Sequence, residues 1–122
     1  MNRYAMWVIL ISGLLFSSFQ CEKMLNESPP IKMKLVASFC AYHIVQIQDS
    51  AYYSQGMNWT NSQGTAFQHV FAVKNPCDFA RSGIRVGDEF TASITDRADS
   101  DNCTVCLGYM ETPPLQHAIK VQ

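Results

Sequence analysis

The sequence predicts an all-β fold, a small five-stranded antiparallel barrel or a two-sheet sandwich, following an N-terminal export segment. Three observations carry that prediction. In residues 84–96, IRVGDEFTASITD, the apolar side chains Ile84, Val86, Phe90, Ala92 and Ile94 recur at even spacing, with Arg85, Glu89, Thr91, Ser93 and Thr95 between them. That period of two marks a strand with one buried and one solvated face. Residues 34–48 and 66–74 repeat the pattern with β-branched and aromatic side chains, which suit a pleated surface. No stretch of the body sustains the 3.6-residue period of an amphipathic helix.

The chain has 122 residues and a formal net charge of −1. That length allows one domain, and a body of roughly a hundred residues folds alone only marginally, so cross-links would help it. Near-neutral charge with scattered lysines and arginines argues against nucleic acid and against attraction to anionic lipid. Residues 1–20, MNRYAMWVILISGLLFSSFQ, place Arg3 before an uncharged apolar run over residues 7–19. The run is shorter than the ~20 residues of a membrane span and has the length of a signal-peptide core.

Cys21 follows at once, in FQCEKM. A cysteine directly after such a core, with charged residues behind it, resembles the lipidation site of bacterial lipoproteins. The resemblance covers residues 1–24 and implies cleavage before Cys21 and a lipid on it that holds the protein to a membrane. Gln20 stands where that family prefers a small residue, and an ordinary secreted protein cut near Gln20 is the alternative. Residues 21–33 are polar and carry Pro29 and Pro30, as a tether should. The β-domain is expected over residues 34–122.

The body is then expected to run as follows. Residues 34–48 form one long, curling strand, with Leu35, Ala37, Phe39, Ala41, Val45 and Ile47 on one face and His43 among them as a hydrogen-bonded core residue. Residues 50–65 are rich in Ser, Asn, Gly and Gln and read as a loop. Tyr52, Tyr53 and Trp59 stand in it, either as a cover for the open barrel end or as a binding surface, since Tyr and Trp are common interface anchors. Residues 66–74 are the next strand, ended by Asn75-Pro76, and 77–83 a connection. Residues 86–96 and 103–110 form a hairpin around the acidic loop 96–102. Residues 117–121 are a last short strand. The run IRVGDEFTASI resembles the third strand of OB-fold domains, in which a Gly-Asp turn opens an alternating strand. That resemblance implies an OB-like barrel; an immunoglobulin-like sandwich is the alternative.

Five cysteines are present: Cys21, Cys40, Cys77, Cys103 and Cys106. Setting Cys21 aside as lipidated leaves four, an even number for an oxidising compartment, and so two disulfides. Cys103 and Cys106 have C-x-x-C spacing, which a redox pair or half a zinc site also shows. A redox pair wants a helix N-terminus and a zinc site a second such pair; neither is evident. If residues 103–110 are a strand, positions three apart face opposite ways, which separates Cys103 from Cys106. The preferred pairing is Cys40–Cys106 with Cys77–Cys103.

Asp96, Asp99 and Asp101 lack the spacing and glycine of an EF-hand and read as a solvated turn. No nucleophile-elbow motif or nucleophile–base pair is visible, and no metal site or cofactor is expected. Three N-x-S/T sequons begin at Asn26, Asn58 and Asn102, and in a eukaryotic secretory pathway each is a glycosylation acceptor. These features lead to a non-enzymatic, membrane-tethered binding or envelope module. The alternatives are a secreted, disulfide-stapled inhibitor or ligand, as OB-like netrin-type domains can be, and a Cys103/Cys106 oxidoreductase.

Overall fold

The computed structural model describes residues 27–96, 103 and 106–122. Residues 1–20, Cys21, Asn26, Asp99, Asp101 and Asn102 therefore lie outside the described residues.

Among the described residues there are six strands and one short α-helix: β1 (Ile31–Phe39), β2 (Tyr42–Ile47), β3 (Met57–Thr60), β4 (Ala66–Val73), α1 (Pro76–Arg81), β5 (Glu89–Thr95) and β6 (Gln116–Val121). A 3-10 helix, Ser50–Gln55, lies between β2 and β3. The hydrogen-bonded order is β2-β1-β5-β6-β4, closed by β2 pairing with β4, and β3 adds to β4 outside this ring. The result is a closed five-stranded barrel, OB-like in its connectivity, and not a sandwich. One pairing departs from the antiparallel expectation: β4 and β6 run parallel, Ala72 beside Gln116 and Val73 beside His117. The α1–β5 excursion between them brings the chain back in the same direction.

Alternation builds the core as the sequence implies. Ile31, Met33 and Leu35 of β1, Val45 and Ile47 of β2, Phe71 and Val73 of β4, Ala92 of β5 and Ile119 of β6 are buried together with Phe79 of α1. Ile31 is fully buried, so the barrel begins inside the stretch read as tether. Before it, Ser28 accepts a hydrogen bond from Ile94 N on Oγ and donates its own N–H to Ile94 O, each at 2.7 Å.

The expected long first strand is two strands. Phe39 faces Tyr42 across a two-residue turn, Cys40-Ala41, and Cys40 has φ +53°, as the first loop position of a tight hairpin of primed type requires. Upstream, Leu35 pairs with Val45 but Ala37 with Ile44, so Val36 is the extra residue of a bulge. The bulge exchanges the faces. Ser38 joins the side of His43, and Phe39, expected inside, turns out to solvent.

The connection 77–83 contains α1, with Pro76 at its first turn, Asp78 early, Arg81 late and Gly83 just beyond at φ +73°. Asn75, only 3% exposed, continues the β4–β6 pairing with its side chain. Its Nδ2 donates to Ile119 O at 2.8 Å and its Oδ1 accepts from Ile119 N at 2.9 Å. The expected 86–96/103–110 hairpin does not form. Gly87-Asp88 is the turn that opens β5, but β5 pairs with β1 and β6, and Cys103 and residues 106–110 lie outside any strand.

Candidate functional site

With its ladder taken by β6, the cysteine-bearing segment has another role. Cys103 is bonded to Cys77 of α1 and Cys106 to Cys40 of the β1–β2 turn, with Cα separations of 5.6 and 5.4 Å. These are the pairs preferred from the sequence. The reason given there, opposite faces of a strand, does not apply, because neither cysteine is in a strand. Both bonds hold the segment against the α1 end of the barrel, as a strap.

The strap presents apolar side chains to solvent. Phe39 is 50% exposed, Tyr109 76% and Leu107 fully exposed. Leu107 and Tyr109 flank Gly108, which abuts the Phe39 ring, and we refer to these side chains as the ridge. The Tyr109 ring meets Tyr42 edge-on, with centroids 5.4 Å apart. Gly108 lies so close to the β1–β2 turn that a Cβ there would sit 2.8 Å from Cys40 Sγ and collide with the Phe39 ring. Beyond the ridge, Glu111 Oε2 accepts a hydrogen bond from Ser62 N at 2.9 Å; the Ser62 hydroxyl, and then this N–H, hold the carboxyl below its usual pKa. The strap is thus tied at both cysteines and again at Glu111.

Beneath the ridge lies His43, 6% exposed. Its Nδ1 shares a hydrogen bond of 2.8 Å with Ser38 Oγ, and its ring packs on Phe79 at 4.9 Å. Nε2 has no partner at hydrogen-bonding distance. Burial lowers the pKa, and the backbone of Pro76 offsets this in part. Burial thus favours the neutral imidazole, a core group packed on Phe79.

Tyr52, Tyr53 and Trp59 are each half-buried, so each keeps part of its ring at the surface. Tyr52 and Tyr53 are half-buried in the 3-10 helix and pack on the barrel core. Tyr53 also stacks flat on His69 with centroids 3.7 Å apart, and His117 Nε2 bonds Gln55 O at 2.8 Å. Trp59 stacks on its cross-strand neighbour Phe67 at 5.9 Å. Cys103 and Cys106 are each bonded elsewhere, so no C-x-x-C disulfide is formed. Among the described residues no group of three or more His, Cys, Asp or Glu is placed to hold a metal.

The ridge was missed in sequence because Phe39 and Tyr109 sit in runs that alternate like strands. The one available signal was the C-x-x-C segment itself, whose two cysteines need separate partners. Comparison with protein-family models, curated proteins and solved structures finds no match for this chain.

Proposed function

We propose that this protein is an exported, non-enzymatic binding module that recognises another protein through the strap ridge. The observation that carries the reading is the exposure of Leu107 and Tyr109 on a disulfide-fixed segment, with the exposed Phe39 ring against Gly108 between them. Solvated apolar side chains normally stand singly, and a contiguous group of them marks an interaction site. Covalent fixing lowers the entropy lost on binding, so little of the contact energy is needed to order the segment. Two disulfides fit an oxidising compartment, in accord with the leader.

We further propose that a lipid on Cys21 presents this module at a membrane. Glu27, which bridges Thr95, lies six positions after Cys21; that stretch reaches at most about 22 Å. The anchored end is therefore the start of β1, and the ridge lies at its other end, about 26 Å further along the strand. A lipid-held molecule would turn the ridge away from the bilayer, toward a soluble or surface-bound protein. Plain secretion is the second reading, favoured by the outward-facing sequon at Asn58.

Mass spectrometry of the mature N-terminus separates the two: acylated Cys21 with release from the membrane in Cys21→Ser, or an unmodified N-terminus and a soluble product. For the ridge, a photo-cross-linking residue at position 107 should give a discrete protein adduct in the native envelope or medium. Leu107→Ser with Tyr109→Ser should abolish binding of that adduct's protein at unchanged Tm. Binding left intact in the double variant would overturn the assignment of the surface.

A further inference from the structure

Strand β3 carries a feature that the binding surface does not use. Its burial alternates, Met57 and Trp59 half-buried, Asn58 and Thr60 exposed. Asn58-Trp59-Thr60 is an N-x-T sequon, so both of its functional side chains stand on the solvent face. Asn58 Oδ1 accepts a hydrogen bond from His69 N at 3.3 Å. His69, at φ +56°, is the bulge residue where Met57 pairs with Val70 but Trp59 with Phe67. With Oδ1 turned to the sheet, Nδ2 on the same planar amide points away from it. Among the described residues, β3 pairs with β4 alone, so it is an edge strand with no strand on its other side. Such edges recruit other strands unless they are covered.

We propose that Asn58 is an N-glycosylation site, and that its glycan covers the free edge of β3. The donor is an oligosaccharide on a lipid pyrophosphate. Nδ2 attacks the anomeric carbon, a nitrogen–carbon bond forms, the carbon–oxygen bond to pyrophosphate breaks with its electron pair leaving on the phosphate, and Nδ2 gives up one proton. The product is still an amide, so Oδ1 keeps its bond to His69 and the bulge is undisturbed. The other two sequons begin outside the described residues, and that of Asn102 spans Cys103, which the fold commits to Cys77. The inference rests on the secreted reading above, since the donor belongs to a eukaryotic export route.

The test is expression of the full chain with its own leader in a eukaryotic secretory host, followed by peptide mapping of the medium and the cells. The expected result is a secreted, disulfide-bonded protein whose 58-containing peptide is glycosylated and is returned as the aspartate form by an amidase specific for glycosyl-asparagine. Thr60→Ala, which keeps Asn58 and its bond to His69, should lose the glycan at this position; Thr60→Ser should retain it. A secreted protein with both disulfides and an unmodified Asn58 overturns the proposal while leaving export standing. A glycan that persists at Asn58 in Thr60→Ala overturns the sequon argument. A chain kept in the cytosol with free thiols overturns export and the glycan together.

Discussion

Burial decides what pH does to His43. Its Nδ1 is engaged by Ser38, and a second proton would put a charge into a site that burial desolvates, a cost that the backbone of Pro76 offsets only in part. The folded-state pKa is accordingly lowered, below an unfolded value of about 6.5. The folded state then binds fewer protons than the unfolded one, and stability is full above about pH 6.5 and falls as the pH drops through that value toward the folded pKa. Urea midpoints at pH 7.5 and pH 5.0 should differ, and the difference should shrink in His43→Phe; equal slopes in the two proteins would show that other groups carry the dependence. Asn75 makes a comparable argument with hydrogen bonds. Asn75→Ala strands both backbone groups of Ile119, itself 2% exposed. Each unsatisfied buried group costs about 1–3 kcal/mol, so urea unfolding should show a loss of about 2–6 kcal/mol, and a loss near zero would mean that water reaches Ile119.

Elements read differently from residues because each can be overruled by its neighbours. Where hydrophobic alternation met an unbroken partner, the sequence was sufficient: the Val45/Ile47 face, the 66–73 strand and the turn at Gly87-Asp88 are all legible, whereas Ile31 and Met33 were hidden in the stretch read as tether. The break in the first strand was not, because Cys40-Ala41 has no turn residue, and nothing local signals the bulge at Val36 that sends Phe39 outward. Helix α1 is too short to show a period, though Asn75, Pro76, Asp78, Arg81 and Gly83 spell its ends. Residues 103–110 alternate like a strand, but β5 has β1 and β6 on its two edges and leaves no ladder free. Half of the candidate site, the exposure of Leu107 and Tyr109, follows only from that competition. The strap's fit is testable at Gly108. In Gly108→Ala the new Cβ meets a sulfur fixed by its disulfide, so the strap itself must move, at about 1–3 kcal/mol. A lower Tm with altered tyrosine fluorescence is expected, as Tyr109 leaves Tyr42; an unchanged melt would show that Phe39 alone gives way.

At the scale of the whole molecule, the two disulfides perform separable tasks. They close loops of sequence separation 66 (Cys40–Cys106) and 26 (Cys77–Cys103). The chain-entropy model values these at about 4.3 and about 3.5 kcal/mol. Against a total of about 5–15 kcal/mol for a small domain, either loss is severe. Removing one pair should lower Tm by roughly 15–25 °C. Stability alone hardly distinguishes them, but position does. Cys77–Cys103 joins the strap to α1, whereas Cys40–Cys106 ties the residue next to Leu107 to the β1–β2 turn, beside the Tyr109–Tyr42 contact. Well below both melting points, Cys77→Ser/Cys103→Ser should therefore keep binding to the protein found through position 107, and Cys40→Ser/Cys106→Ser should lose it while the far-ultraviolet spectrum stays that of the β-barrel. Titration calorimetry of the two paired variants against that protein decides the matter. Equal affinities would mean that packing alone orders the ridge, and that the disulfide acts only through the unfolded chain.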